Sequence, residues 1–156
     1  MAAALHDWAQ EAQRSCGGRV ARAETIHLTL AFLGDVQEKF LPDLKSVSVT
    51  GERHLLPIEG SRYWPHNRIV WVGPRATPSA LEVLVSSLVL TLGEKGFRTE
   101  SRRFSAHITL IRKARDPGTL PAVPAVSWPV AEFVLVRSRL ASEGSGYEIL
   151  ERFPLS

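Results

Sequence analysis

His27-Leu28-Thr29-Leu30-Ala31-Phe32-Leu33-Gly34 is echoed 80 positions later (107 − 27) by His107-Ile108-Thr109-Leu110-Ile111-Arg112. Each stretch reads His-x-Thr-Leu inside an apolar run. Alternation with a period of two marks an extended strand, in which residues i and i+2 face the same way. His27 therefore shares a face with Thr29, and His107 shares one with Thr109. A lone His-x-Thr is ordinarily a half-buried strand carrying a polar residue. Two copies in one register point to a matched pair, and the spacing predicts strands over 26–33 and 104–112.

Around these motifs the chain mixes helices and strands without the regular strand–helix–strand alternation of a parallel sheet. Leu5, Trp8, Ala9 and Ala12 are spaced for one apolar helix face over 5–14, ended by Cys16-Gly17-Gly18. A second helix is expected over 37–47, against the grain of Pro42. Residues 56–64 and 68–72 read as a strand pair turned at Pro65-His66-Asn67. Thr77 as N-cap and Pro78 at the first position start a helix reaching Leu92, broken by Gly93 and Gly96. Strands over 131–140 and 147–153, joined through Glu143-Gly144-Ser145-Gly146, close the chain. This order predicts an α+β fold with largely antiparallel pairing and a single domain over 1–156. The paired motifs suggest two similar halves facing each other across a cleft.

With 156 residues, 44% of them hydrophobic and 22% charged, the chain has a globular composition and enough length to bury a core. No stretch reads as a secretory leader or as a membrane-length apolar run, so no membrane association is expected. Cys16 is the single cysteine. It excludes an internal disulfide and a multi-cysteine metal site, and a reduced, cytoplasmic setting is the default. A net charge of +3 favours an anionic ligand without being a nucleic-acid signature. Arginine clusters at 102–103, 112–115 and 137–139 read mostly as solvated faces. Arg112 is set apart because its register ties it to the second motif.

Two His-Thr faces turned toward one phosphorus would bring together two imidazoles and two hydroxyls. Histidine holds either proton state near neutrality, so one ring can take a proton from water while the other gives one to the departing oxygen. The hydroxyls would donate to non-bridging phosphoryl oxygens, and Arg112 would add charge where the transition state gathers it. His6, His54 and His66 lie in unrelated contexts, so no third ligand at a recognisable spacing completes a metal site. Neither a nucleophile elbow nor a GxxxxGK phosphate loop is present.

The pair HLTLAFLG and HITLIR resembles the 2H phosphoesterase superfamily, and within it the bacterial RNA 2′,3′-cyclic phosphodiesterases, also called 2′-5′ RNA ligases or the LigT/ThpR group. The likeness extends over the aromatic-turn-strand segment 63–73, the approach of Phe104 to His107, and the closing FVLVRSRLASEGSGYEILERFPL, from about Ala21 to the end. The resemblance implies a bilobal LigT-like fold, two pseudo-symmetric, largely antiparallel sheet lobes flanking a central cleft with helices outside. It implies hydrolysis of an RNA terminal 2′,3′-cyclic phosphate to a 2′-phosphate, with reversible 2′-5′ ligation as a companion reaction; the residues themselves lead to the expectation of no cofactor or metal. RNA ends or cyclic-phosphate nucleotides are the implied partners, with no obligate protein partner. By position, His27 and His107 are the catalytic pair, and Thr29, Thr109 and Arg112 bind the phosphate. His27 is assigned as acid and His107 as base, roles that quasi-symmetric halves leave open to exchange.

Tyr63, Trp64 and Phe104 are candidate base or RNA contacts. Phe32 and Trp71, inside apolar strands, read as core, and His66 as an exposed loop residue. Members of the group usually open with a short strand of the R-L-F-F-A-L kind, whereas this chain runs from Met1-Ala2-Ala3-Ala4 almost directly into its first helix. That strand is therefore expected to be missing, through a truncated product, a misassigned start, or a sheet edge finished otherwise. The rival readings are a 2H enzyme acting on another nucleotide or a 2′-5′ oligonucleotide, a non-catalytic RNA-end-binding module, and a two-histidine metal protein.

Overall fold

The computed structural model describes residues 1–100, 102–141 and 144–156. In chain order its elements begin with α1 (Ala2–Cys16), β1 (Arg19–Val20) and α2 (Leu41–Lys45), preceded by short 3-10 turns at Ala23–Thr25 and Glu38–Phe40. Next come β2 (His54–Pro57), β3 (Gly60–Trp64), β4 (Ile69–Gly73) and α3 (Ser79–Glu94). The remainder is β5 (Ile108–Arg112), β6 (Ser127–Val130), β7 (Glu132–Ala141) and β8 (Gly144–Pro154). Packing divides the chain into two compact units, each assembled from three separate stretches. Among the described residues no helix is long and apolar enough to cross a membrane.

The first unit takes in Met1–Thr29, Leu55–Thr77 and Ser105–Trp128. Its centre is a four-stranded sheet in the order β1-β5-β4-β3, with each neighbouring pair antiparallel. One face is core: Val70, Val72, Ile108 and Ile111 are fully buried. Against β1 and β5 packs α1, which buries Leu5, Trp8, Ala9, Ala12 and Cys16, the predicted stripe. Each such side chain removed from water contributes about 1.5–3 kcal/mol for the larger apolar types. The helix starts earlier than the apolar spacing indicates because Ala2 to Ala4 are strong helix formers. It stops where Gly17 takes a positive φ of 62°.

The second unit takes in Leu30–His54, Pro78–Phe104 and Pro129–Ser156. Within it α3 buries Leu81, Leu84, Val85, Leu88 and Leu92, and the β7–β8 hairpin stacks Phe133 on Phe153 at 4.6 Å. Arg137 and Arg139 on β7 both donate to Glu148 on β8. Hydrogen bonds from Arg137 and then Arg139 hold the Glu148 carboxyl below its ordinary value of 4.5. A depressed folded-state pKa stabilises the fold above the unfolded value, and that contribution is lost as pH falls through the lowered one. The Tm gap between wild type and Glu148→Gln, measured at pH 7, is therefore expected to narrow as pH falls below 4.5 and to close once pH is well under the lowered value. A gap that stays constant on acidification would show that this cluster does not titrate with folding.

Several sequence expectations are corrected. The segment 26–33 forms no strand. Its side chains do alternate, with Ile26 buried, His27 exposed, Leu28 half-buried and Thr29 exposed. An extended chain becomes a strand only through ladder bonds to a neighbour, which periodicity cannot report. Phe32, expected in the core, is 67% exposed, while Trp71 is buried as expected. The helix over 37–47 shrinks to a 3-10 turn and α2, because Pro42 is accommodated only in the first turn. The N-cap of α3 is Pro78, with no side-chain cap from Thr77.

The expected strand over 56–64 is two elements, β2 and β3, and β2 pairs with the unforeseen β6. In the second motif β5 begins at Ile108, so His107 stands just before the ladder. Of the expected turn 143–146, Glu143 lies outside the described residues, and β8 already begins at Gly144.

Candidate active site

Both His-x-Thr triplets belong to the first unit, the division falling directly behind Thr29. The first triplet is reached from the edge of the sheet. Val20 pairs with Ile111, and the amide of Ala21 donates to the carbonyl of Leu110 at 2.8 Å. The Nδ1 of His6, from α1, bonds the carbonyl of Ala21 at 3.0 Å. The chain then turns through Ala23–Thr25, where the Thr25 amide and hydroxyl both donate to the Arg22 carbonyl. This turn leaves the Thr25 carbonyl facing forward, and the Nδ1 of His27 meets it at 2.7 Å.

The second motif repeats the arrangement. His107 Nδ1 lies 2.9 Å from the carbonyl of Ser105, again two residues upstream. A carbonyl can only accept, so Nδ1 carries the proton in both rings. The neutral imidazole then keeps its lone pair on Nε2, the nitrogen at which such a ring can accept a proton. His54 has the same contact, Nδ1 to the Glu52 carbonyl at 2.9 Å, but its Nε2 is buried and has no partner among the described residues. A backbone anchor alone is thus not the mark of the pair; it counts together with the accessible neighbouring threonine.

Opposite the core face, the sheet presents Trp71 and Thr109, which are cross-strand partners, and Arg62, which faces Trp71 from β3. Between Val70 and Trp71 the β4–β5 register shifts, so β5 carries an extra residue there. Leu110 and Ile111 are both fully buried as a result. The parity of the strand flips, and Arg112 emerges, exposed, on the face that carries Thr109. Bulges commonly re-aim side chains in this way. Without this one, strict alternation would have placed Arg112 on the opposite face from Thr109.

Trp64 lies 4.8 Å from His107, 5.0 Å from Trp71 and 5.6 Å from His66, ring centre to ring centre. Trp71 is itself 6.0 Å from His107. The Trp71 indole N–H is buried without an acceptor among the described residues, so this residue is held through its ring contacts. The His107 ring is therefore fixed twice, by its Nδ1 bond and by an indole wall. The hydroxyl of Tyr63 donates to the carbonyl of Ala114 at 3.3 Å. Phe104 falls in the second unit.

Sequence reasoning passed over Arg68, Gly18 and Gly73. Arg68 and Lys113 both have positive φ, 57° and 58°. The Arg68 guanidinium donates to the carbonyls of Ala114 and Lys113, its own carbonyl accepts from the Ala114 amide, and its amide closes the turn onto Trp64. It thereby ties the turn bearing Trp64 to the stretch leaving Arg112. A Cβ on Gly18 would sit 2.5 Å from the Arg112 carbonyl oxygen, and one on Gly73 would sit 2.8 Å from that of Ala106, next to His107. No signal in a single sequence marks these close approaches.

Among the described residues no three His, Cys, Asp or Glu side chains gather where they could hold a metal ion.

The model of the LigT like Phosphoesterase family matches residues 1–71. An RNA 2′,3′-cyclic phosphodiesterase of Escherichia coli is 35% identical over 144 residues, covering 89% of this chain and 81% of the relative. One from Thermus thermophilus is also 35% identical, covering 83% of this chain and 72% of the relative. The crystal structure of E. coli LigT complexed with 3′-AMP superposes with a TM-score of 0.87 at 29% identity, over 100% of this chain and 93% of that one. With an α+β fold of antiparallel sheets, two anchored histidines and relatives of this identity and coverage, the chain belongs to the family of LigT-like 2H phosphoesterases.

Proposed function

We propose that this phosphoesterase hydrolyses the terminal 2′,3′-cyclic phosphate of RNA to a 2′-phosphate. The observation that supports the reading is the matched anchoring of His27 and His107, each through Nδ1 to the carbonyl two residues upstream and each followed two residues on by a threonine that is not buried. One Nε2 accepts a proton from water as its oxygen attacks phosphorus. The other, protonated, gives its proton to the 3′-oxygen as the P–O3′ bond breaks. The products are a 2′-phosphate and a free 3′-hydroxyl, and the two rings have exchanged proton states. His107 is proposed as the base and His27 as the acid. Thr29 and Thr109 donate to the non-bridging oxygens, and Arg112 offsets the charge that builds there. Run toward joining, with an RNA hydroxyl in place of water, the same pair supports 2′-5′ ligation.

Partners follow from the chemistry: RNA ends and cyclic-phosphate nucleotides. Tyr63 and Phe104 are the proposed RNA contacts. The Tyr63 ring forms part of a groove of about 520 Å³ with Arg62, Pro65 and the 116–120 loop, a volume that accommodates a nucleotide. Trp64 is closed in by His66, Trp71 and His107, which favours a positioning role over base stacking. A reduced, cytoplasmic setting is proposed from Cys16 being the single cysteine of the sequence.

The test is to incubate EDTA-treated protein with an oligonucleotide ending in a 2′,3′-cyclic phosphate and to identify which hydroxyl retains the phosphate. A 2′-phosphate formed in EDTA is the expected result. Binding without turnover would support an RNA-end-binding module instead, and activity restored only by added metal would end the two-histidine mechanism.

A further inference from the structure

The site as proposed uses one arginine, yet β1 and β5 put two side by side. Arg19 is the cross-strand partner of Arg112. Directly opposed residues of an antiparallel pair share a face, with Cβ atoms about 4.5–5.5 Å apart. Their ladder neighbours Val20 and Ile111 point the other way, Ile111 into the core. Arg19 and Arg112 are both exposed, and neither guanidinium has a hydrogen-bond or ion-pair partner among the described residues. Like charges placed opposite each other across a ladder are destabilising. Elsewhere the same chain avoids this arrangement: Arg137 and Arg139 share Glu148, and Arg152 pairs with Glu132. The bare pair also sits in the most basic part of the chain. Over 19–24 and 112–116 five basic residues meet two acidic ones, a local charge of +3 that equals the net charge of the whole protein.

We infer that Arg19 binds a second phosphate, the phosphodiester on the 5′ side of the terminal nucleotide, and so makes the enzyme prefer an RNA chain to a lone cyclic nucleotide. The inference rests on the function proposed above. A cyclic phosphodiester carries one negative charge, which Arg112 and the threonine hydroxyls already meet. The internal phosphodiester of RNA is likewise a monoanion, and Arg19 is the unmatched cation one strand farther out toward the sheet edge. An arginine fork suits two phosphoryl oxygens of one group. With RNA bound, the second anion relieves the repulsion between the two guanidinium groups.

The experiment compares Arg19→Gln with wild type on two substrates: a mononucleotide 2′,3′-cyclic phosphate, which has no internal phosphodiester, and a short oligoribonucleotide ending in the same group. The variant is expected to raise KM for the oligonucleotide roughly three- to tenfold at low salt, the scale of one lost phosphate contact. KM for the mononucleotide should not change, nor should kcat for either. The slope of log KM against log salt for the oligonucleotide should flatten by about 0.7, the value for one phosphate on a single strand. Because removing one of two opposed charges relieves strain in the free protein, Tm should hold or rise. An equal rise in KM on both substrates would place Arg19 at the terminal phosphate and overturn the inference, as would unchanged KM on both. A fall in Tm would mark a structural role and overturn it too. Should wild type turn over neither substrate, the proposed function itself fails, an outcome the variant does not affect.

Discussion

Replacing His107 by alanine is expected to lower kcat on a 2′,3′-cyclic-phosphate end by about two to four orders of magnitude, the usual worth of a positioned general acid or base. His27→Ala should do the same. Neither imidazole is a core group: His27 is exposed and His107 half-buried. Each ring's Nδ1 bond is to a single carbonyl at the molecular surface, so Tm should fall by only a few degrees. The double variant should be little worse than either single one, because removing one member of a concerted pair already disables the transfer. Thr29→Ala and Thr109→Ala each remove one neutral donor and should reduce kcat less. The rate should follow a bell against pH, since one ring must be neutral while the other is protonated, and the two limbs report the pair, not either ring alone. Loss of activity in proportion to loss of folded protein, or a flat profile between about pH 5 and 9, would remove the pair from the chemistry.

What the sequence discloses about this site is set by how local each feature is. His27, Thr29, His107 and Thr109 are legible because two-residue periodicity depends on the segment itself. The stripe of α1 and the apolar spacing of α3 are legible for the same reason. The features that depend on a distant partner are not. Whether 26–33 is a strand turns on what lies beside it, and nothing in its own alternation says so. Phe32 is as apolar as Trp71, yet one is exposed and the other buried because β4 is flanked by β3 and β5 while the stretch around Phe32 has no ladder. The placement of Arg112 beside Thr109 depends on a bulge that strict alternation would deny. The pairing of Arg19 with Arg112 requires a register that only the three-dimensional ladder supplies.

Gly18→Ala is the substitution outside the proposed catalytic groups with the largest expected effect, about 2–5 kcal/mol of stability, through two separable causes. Gly18 has a φ of 81°, where a side chain costs about 1–2 kcal/mol by its clash with its own backbone. The added Cβ would also meet the Arg112 carbonyl oxygen at 2.5 Å, Ile111 Cγ2 at 2.9 Å and the Ala114 Cα at 3.1 Å. Two of these neighbours are main-chain atoms that cannot swing aside, and overpacking of this kind costs about 1–3 kcal/mol more. Gly96 separates the two causes: its φ is 88°, and nothing lies within 4 Å of its Cβ position. Gly96→Ala should therefore show the backbone cost alone. For a chain of this size the expected drop in Tm is about 4–20 °C for Gly18→Ala and about half of that or less for Gly96→Ala. The strain in Gly18→Ala also falls on the end of β5 that carries Arg112, so KM should rise in the folded variant, whereas Gly96→Ala should leave KM unchanged. Equal losses of Tm in the two variants would mean that the approach of Gly18 to Arg112 is loose. The β1–β5 edge would then not be what holds Arg112 in place.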